Sequence, residues 1–445
     1  MSLVSALYVG ASGLDAASTE LSVVGDNIAN SGTVGFKAAR TVFADAMAQQ
    51  LVGSQGQLGL GVTAMSVQKL FTQGGFNNTG LATDVAIQGN GMFVVKGSHG
   101  GAESTYYTRN GQFTIDKDGF LTNLEGLKVQ GLPAGASGAV TSGLLGDLQV
   151  GNASAPAEAT SSITIRGNLD QAAPLKTFDP LDPKKSSNFT TSMTVYDSLG
   201  KAIQLDIYFV KNDAAGTQAG DSGDWTYHVM TDGVNLATDA TGAPSTPGLA
   251  TEVATGGMRF DTSGRLINND TTLNAFNPTD SVNPQKLSFN FGTGTDPAAG
   301  GGGGLDGLTQ YAATSAVSFV TQAGSSSGSL SSVTVGTDGT ITGGFTNGQT
   351  RTLGQLIIAN FKAPDQLARV GSTLYSEKPL SGSPTLGTAG TADRGSVTAG
   401  ALEQSNVDIS KEFIRMIASQ RNFQANSKTL TTADALLAEL MNLKR

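Results

Sequence analysis

The 445-residue chain contains no cysteine, two histidines and one tryptophan. The absence of cysteine excludes disulfides, thiolate metal sites, iron–sulfur clusters and cysteine nucleophiles. The two histidines, His99 and His228, are too few and too far apart in the sequence for a multi-histidine metal centre. Most hydrolytic and metal-dependent chemistry is therefore disfavoured, and the chain must gain its stability from packing or assembly.

Charge is also scarce, since Asp, Glu, Lys and Arg make up 14% of the chain, against about 25% in ordinary soluble domains. The 36 acidic residues outnumber the 27 basic ones, which gives a net charge of −9 and predicts no nucleic-acid binding. No segment approaches about 18 consecutive apolar residues, so no membrane insertion is expected. Because the first basic residue is Lys37, we expect either an intracellular protein or export without a cleaved secretory signal.

Apolar residues recur mainly at every seventh position near both ends of the chain: Leu7, Leu14, Leu21, Val24, Ile28, and then Ile409, Met416, Phe423, Leu430, Leu437, Leu440. This spacing predicts a helix at each terminus, with seams that suit a coiled coil. Gly10 and Gly13 each weaken the first helix by about 1 kcal/mol relative to alanine. Glu412, Ser419 and Asn426 interrupt the second seam. We therefore expect both helices to need partners, the alternative being that each packs on its own core.

Between the termini the period of the apolar residues changes to two. Ile203, Leu205 and Ile207 alternate with polar residues, and turn sequences such as Asn110-Gly111 separate short runs. The sequence predicts a mainly β, multidomain fold of antiparallel meanders or barrel-like domains, with the N- and C-terminal helices forming a coiled coil.

Shifts in composition predict nested, discontinuous domains. Residues 1–30 with 405–445 would form the helical coiled-coil domain as the innermost layer, and residues 31–71 an extended connector with one short helix over 43–50. Residues 72–148 with 351–404 would form an inner β domain. Residues 149–350 would form an outer inserted β domain, of one or two parts.

Three short motifs suggest ligand or enzyme chemistry, but each lacks its required context. Residues 324–328 fit the G-x-S-x-G string, yet both histidines precede Ser326, whereas the base of an α/β-hydrolase follows its serine. Residues 302–307 fit a dinucleotide motif without a following helix. Residues 116–119 match only the start of a calcium loop. We predict no catalytic, cofactor-binding or metal-binding residue, and no enzyme activity.

Two longer motifs resemble the signatures of the bacterial flagellar rod and hook proteins. They occupy residues 26–37 and 401–421, at opposite ends of the chain and in the family's order. Segments 78–91 and 107–113 are similar to the inner β domain of that family, and segment 195–200 to its outer domain, although Met92 replaces a usual phenylalanine. The residues that match the terminal signatures are Asn27, Ala29, Asn30, Gly35, Phe36, Lys37, Leu402, Glu403, Ser405, Asn406, Val407, Asp408, Gln420 and Arg421.

The resemblance implies a structural subunit of the flagellar hook, a curved helical tube that acts as a flexible universal joint and transmits motor torque to the filament. It implies that the partners are further copies of the chain, the rod and hook–filament junction proteins, the hook cap and the flagellar export apparatus. It also implies a location in the flagellum outside the cell, after type III export. The terminal seams would then form the polymerisation interface.

Two alternatives to a hook subunit remain. A distal rod protein would share both terminal signatures, but rod proteins are much shorter and the large inserted β region argues against one. A secreted glycan-binding or glycan-cleaving β protein would need an aromatic patch or a pair of carboxylates at a cleft. Aromatic residues are only 6% of this chain, and Trp225 is its single tryptophan.

Overall fold

A computed structural model describes residues 3–46, 49–50, 57–58, 60–135, 138–140, 143, 145–213, 221–238, 245, 249–274, 276–279, 285–296 and 301–442. The described chain is mainly β and has a long helix at each end, which confirms the predicted fold class. The helices are α1 (Leu3–Ala29), the short α2 (Pro183–Ser186) and α3 (Ile409–Asn442).

The strands before residue 154 are β1 (Ala39–Asp45), β2 (Gln49–Gln50), β3 (Gln57–Leu58), β4 (Val62–Lys69), β5 (Phe76–Asn78), β6 (Val85–Gln88), β7 (Met92–His99), β8 (Ala102–Thr108), β9 (Phe113–Ile115), β10 (Leu121–Asn123), β11 (Lys128–Pro133) and β12 (Gly146–Asp147). The next are β13 (Ser154–Ala155), β14 (Ser162–Asn168), β15 (Phe189–Tyr196), β16 (Ala202–Asp213), β17 (Asp221–Asp232), β18 (Leu236–Thr238), β19 (Ala250–Asp261), β20 (Leu266–Asn274), β21 (Asn277–Pro278), β22 (Ser288–Asn290), β23 (Leu308–Thr309) and β24 (Ala316–Gln322). The last are β25 (Gly328–Val335), β26 (Thr340–Phe345), β27 (Thr350–Asn360), β28 (Ala368–Gly371), β29 (Leu374–Ser376), β30 (Thr385–Thr388), β31 (Ser396–Ala399) and β32 (Ala401–Glu403).

The chain forms two compact units. The first takes its described residues from 1–153, 330–344 and 350–445, and the second from 154–329 and 345–349. Residues 330–344, which the sequence analysis assigned to the outer domain, therefore belong to the first unit. The reason is that β26 pairs with β27, which buries Ile341 in the same core as Leu356 and Ile358.

In the first unit the main sheet runs in the order β26-β27-β11-β7-β8-β29-β28. Strand β7 lies at its centre and is covered on both faces. Phe93 and Val95 point into one apolar core, while Met92 and Val94 point into another. This is why β7 reads as a continuous apolar run rather than as an alternation.

The second unit contains a five-stranded antiparallel sheet in the order β15-β16-β17-β19-β20. The predicted alternation holds here, because Ile203, Leu205 and Ile207 are fully buried on the face that also carries Trp225. A smaller sheet departs from the expected antiparallel meander, since β14 pairs in parallel with both β22 and β23. These parallel pairs join strands that are far apart in the chain.

The segment expected to be an extended connector contains an antiparallel hairpin. Strands β1 and β4 pair along their length, and the backbone N–H of Val62 donates to Ser12 Oγ on α1 at 3.3 Å. The short helix expected over residues 43–50 is wrong for the described residues, because Phe43 lies in β1 and residues 49–50 form β2. The run Thr41, Val42, Phe43 consists of β-branched and aromatic residues, which favour a strand.

The turn between β28 and β29 holds two residues in a left-handed conformation that glycine and asparagine normally supply. Ser372 and Thr373 have φ values of 48° and 60°, and Gly371 pairs with Leu374 across them. A two-residue hairpin turn of this kind favours Asn-Gly. The backbone there is held partly by Thr108, whose hydroxyl donates to the carbonyl of Thr373 at 3.1 Å.

Replacing Ser372→Asn together with Thr373→Gly should raise the free energy of unfolding by about 1–2 kcal/mol, because it relieves left-handed strain while keeping the Thr108 bond to the backbone. Urea denaturation followed by circular dichroism measures the effect. An unchanged or lower unfolding free energy would contradict it.

Candidate functional site

The motif residues from the two chain ends meet around one buried carboxylate, that of Glu403 at the end of β32. Lys37 Nζ lies 2.6 Å from Glu403 Oε1, and Arg109 Nη1 lies 3.1 Å from Oε2. The backbone N–H of Gly74 donates to Oε1 at 2.9 Å. The side chains of Lys37 and Glu403 are completely buried. Two cations and one backbone donor therefore hold a carboxylate that has no access to water.

The two cations also donate hydrogen bonds to backbone carbonyls. Lys37 Nζ also donates to the carbonyl of Thr72 at 2.7 Å, and Arg109 Nη2 donates to the carbonyl of Gly89 at 2.7 Å. Burial lowers the pKa of Lys37 from its ordinary value, and the Glu403 carboxylate opposes that shift. Burial lowers the pKa of Arg109 in the same way. The cluster stays charged only because its members are paired with one another.

Two motif amides extend this cluster to the bases of the terminal helices. Near the end of α1, Asn27 accepts from the N–H of Ala39 at 2.9 Å and donates to the carbonyl of the same residue at 2.7 Å. Before α3, Asn406 accepts from the N–H of Ala38 at 2.7 Å and donates to the carbonyl of Leu70 at 2.8 Å. Each amide thus pairs with the backbone as a neighbouring strand would, at the point where the β1–β4 hairpin meets a terminal helix.

The motif residues between α1 and Lys37 are explained by close packing. Gly35 has φ of 69°, and a Cβ there would lie 2.6 Å from the backbone nitrogen of Asn110. Phe36 is buried beneath the guanidinium of Arg369, which lies 4.8 Å from the ring centre. Arg369 also pairs with Asp26 at 2.7 Å. Only glycine fits at residue 35, and the aromatic ring at residue 36 anchors the turn.

Above this cluster the terminal helices pair in antiparallel orientation. Asn27 Nδ2 donates to Glu412 Oε2 at 3.2 Å, and Ser419 Oγ donates to the carbonyl of Ala17 at 3.0 Å. Further along, the side chain of Asn426 lies against Gly13. The centre of the contact consists of small and polar residues at seven-residue spacing on α3.

The predicted apolar seams flank this contact instead of forming its centre. Val24 is buried, whereas the remaining predicted seam residues of α1 are half-buried: Leu7, Leu14, Leu21 and Ile28. On α3, Met416, Leu430 and Leu437 are half-buried, Ile409 and Phe423 are exposed, and the side chain of Leu440 lies outside the described residues. The apolar side chains of α3 that are 40% to 68% exposed are Ile409, Phe413, Ile414, Ile417, Phe423 and Leu436. A large apolar surface on α3 thus remains uncovered by the described residues of its own chain.

Four segments of the chain match families of flagellar proteins. Residues 7–37 match the flagella basal body rod protein family, and residues 86–169 the flagellar hook protein FlgE/F/G D1 domain. Residues 164–325 match the flagellar basal body protein FlaE D2 domain, and residues 398–443 the flagellar basal body rod FlgEFG protein C-terminal family.

Curated relatives align over nearly the whole chain. The flagellar hook protein FlgE of Escherichia coli is 36% identical over 97% of this chain and 98% of its own length. The FlgE proteins of Salmonella typhimurium and Borreliella burgdorferi are 33% and 32% identical over 97% and 98% of this chain and 98% and 99% of their own lengths. The chain belongs to the flagellar hook protein family. The expectation of a hook structural subunit that is not an enzyme is confirmed by these relatives, and the rod-type alternative is less supported.

A solved structure of Helicobacter pylori flagellar hook protein FlgE2 covers 74% of this chain and all of its own at 14% identity and a TM-score of 0.48. The family assignment rests on the sequence relatives. No described helix is long and apolar enough to cross a membrane. Within the described ranges, no group of three or more histidine, aspartate or glutamate side chains is placed to hold a metal ion.

Not every signature residue of the hook protein family lies in the cluster. Asp408 accepts from the N–H of Lys411 at 3.2 Å and so caps α3, and Asn30 donates to the carbonyl of Asp26 at 2.9 Å, closing the end of α1. The signature residues that lie apart from the buried carboxylate are Ala29, Ser405, Val407, Gln420 and Arg421, of which Ala29, Gln420 and Arg421 are exposed. Leu402 is buried beside Glu403 in β32.

Arg109 is the cluster member that the sequence analysis missed as a functional residue. It lies in segment 107–113, directly after the buried strand residue Thr108, and its side chain is almost fully buried. A basic residue that directly follows a strand bearing buried aromatic residues could have indicated a buried partner carboxylate.

Replacing Glu403→Gln should lower the free energy of unfolding by about 3–5 kcal/mol, because it leaves the buried cations Lys37 and Arg109 without a counter-charge. Urea denaturation followed by circular dichroism measures the loss. The control Glu377→Gln changes an exposed carboxylate of the same unit and should stay within about 0.5 kcal/mol of the parent. Equal effects of the two substitutions would show that the cluster does not stabilise the fold.

Proposed function

We propose that this hook family protein polymerises through its terminal helices into the curved tube of the flagellar hook, where it acts as a flexible universal joint between motor and filament. The observation that carries the proposal is the apolar surface of α3, which includes Phe413, Ile414 and Ile417, side chains that are 48% to 68% exposed in the single chain. A second copy that covers this surface would stabilise the assembly by about 1–2 kcal/mol for each of these side chains, since about half of each is still exposed. Contacts of one face with a different face of the next copy give a helical tube rather than a closed pair.

In the proposed arrangement the domains are nested. Residues 1–30 with 405–445 line the inner tube, residues 72–148 with 351–404 surround it, and the inserted β region faces outward. Support comes from the order of the chain, which enters and leaves the β regions through the Glu403 cluster. The low charge of the chain, 14% Asp, Glu, Lys and Arg, favours weak and hydrated contacts between outer regions, which can slide as the tube bends.

The proposed partners are other copies of the chain, the rod, the hook–filament junction proteins, the hook cap and the flagellar export apparatus. We propose that the chain reaches the outside of the cell through type III export. Membership of the hook protein family supports these assignments, since such a structure has to be joined at both of its ends.

Deleting residues 1–30 or residues 405–445 should leave a folded β region that does not polymerise, because each deletion removes one of the paired helices. Electron microscopy after salt-induced polymerisation tests this, with the full-length chain as the control. Curved tubes are expected from the full-length chain alone. Tubes from either deletion would refute the role of the helices, and straight tubes from the full-length chain would favour the rod alternative.

A sharper test changes the apolar surface of α3 without removing the helix. Phe413→Ser with Ile417→Ser should raise the critical concentration for polymerisation at least about tenfold, since two apolar side chains no longer become buried. Pelleting by ultracentrifugation measures that concentration. The matched control Gln424→Ser with Ala425→Ser alters exposed residues of the same helix and should polymerise like the parent. Normal polymerisation of the first variant would exclude this surface as an interface.

A further inference from the structure

The apolar residues of the two terminal helices cannot by themselves fix how the helices are aligned. In both helices they repeat at every seventh position, as Leu7, Leu14 and Leu21 do in α1. Sliding α3 by seven residues, about 10.5 Å along its axis, puts each apolar residue next to the site of an equivalent one. Packing of the flanking apolar residues therefore discriminates poorly between the observed register and the two registers that differ from it by seven residues.

The polar contacts at the centre of the pair do not repeat in this way. Glu412 meets the amide of Asn27, and Ser419 donates to the backbone carbonyl of Ala17. Asn426 occupies the space over Gly13, where a Cβ would lie 2.5 Å from its Nδ2 atom and 2.7 Å from Cγ. In the observed register each of these α3 side chains thus meets a matching group on α1.

We propose that Glu412, Ser419 and Asn426 are the residues that set the register of α3 against α1. A slip in one direction moves Asn426 from the space over Gly13 to Ala17, whose Cβ leaves less room, and moves Ser419 opposite Asn27. A slip in the other direction puts the carboxylate of Glu412 against the carbonyl of Ala17, where two acceptors face each other without a proton between them. Buried polar residues at seam positions are known to specify register in paired helices at some cost in stability.

The register matters for the proposed assembly because a slip by seven residues would move the exposed apolar surface of α3 by about 10.5 Å along α1. In the observed alignment the polar residues face α1, and Phe413 and Ile417 face away from it. The inference goes beyond the proposed function, since it concerns pairing within one chain and can be tested whether or not that chain polymerises.

Disulfide trapping can read the register directly, because the natural chain has no cysteine. A Cβ at Gly10 would lie 3.9 Å from the Cβ of Leu430, which is within the range for a disulfide. The pair G10C/L430C therefore reports the observed register. The pairs G10C/F423C and G10C/L437C report a slip by seven residues in either direction. In the full-length chain we expect the first pair to oxidise in at least about tenfold excess over the other two, the effect of one buried hydrogen bond together with one steric mismatch.

The register-setting residues are then changed in each reporter background. Glu412→Gln with Asn426→Ala should lower the tenfold preference at least about fivefold, because the amide can donate to the carbonyl of Ala17 and the smaller side chain fits over Ala17, which allows the slipped pairs to form. The matched control Asn422→Ala with Glu439→Gln makes the same chemical changes at exposed positions of α3 and should keep the preference. An unchanged preference in the first variant, or an equal loss in the control, would overturn the proposal.

A second pair of substitutions, in which one compensates for the other, distinguishes a change of register from a failure to form the helices. Gly13→Ala fills the space that Asn426 occupies and should reduce the yield of the G10C/L430C disulfide. Adding Asn426→Ala should restore it, because the smaller side chain again leaves room. A full yield with Gly13→Ala alone, or no recovery in the double variant, would show that this contact does not set the register.

Discussion

The fold depends on the burial of one carboxylate among two cations. Glu403 and Lys37 are 366 residues apart in the chain, and Arg109 lies between them. A buried carboxylate is stable only when its counter-charges are in place, so β32, the turn after α1 and the end of β8 have to come together. This requirement joins the N-terminal and C-terminal segments of the chain just after α1 ends and just before α3 begins. Residues 154–329, which form most of the second unit, are an insertion into the first unit.

The contact between the terminal helices, which lies above this cluster, has a different composition. Their contact is made by glycine, alanine, serine and amide side chains, and the large apolar residues lie beside it. Such a contact gives little hydrophobic stabilisation within one chain, because the apolar side chains of α3 keep much of their surface in water. The same arrangement leaves these side chains available to another copy. In the proposed assembly, weak pairing in the subunit and strong association between subunits would thus both follow from one distribution of residues.

Sequence reasoning located the elements better than it located their contacts. The seven-residue repeats predicted both terminal helices, and alternation predicted strands such as β16. The resemblance placed Lys37 and Glu403 among the important residues, but not their contact with Arg109, since a pattern within one strand says nothing of a partner 294 residues away. The heptad pattern also could not tell which part of the predicted seam lies at the centre of the helix contact. Two adjacent seven-residue series are present on α3, and only the position of α1 decides which of them faces inward.

The errors in the middle of the chain have the same origin. Residues 330–344 carry turn and strand signals that would suit either unit, and their pairing with β27 assigns them to the first. The last three residues of β1, 43–45, were included in a predicted short helix because a short segment with Ala and Phe has no clear period, and pairing with β4 decides its form. In both cases the local sequence is compatible with more than one structure, and a partner strand distant in sequence selects among them.

The two sites together suggest how one subunit can be stiff in twist and compliant in bending. The Glu403 cluster is buried, charged and fixed by several hydrogen bonds, so a rotation of the helices about their base would have to break it. The helix pair has small residues at its centre and a specific register, which resists sliding along the axis but allows small changes in tilt. In the proposed tube, torque would be transmitted through the cluster, and bending would be absorbed by the weak contacts between the outer regions.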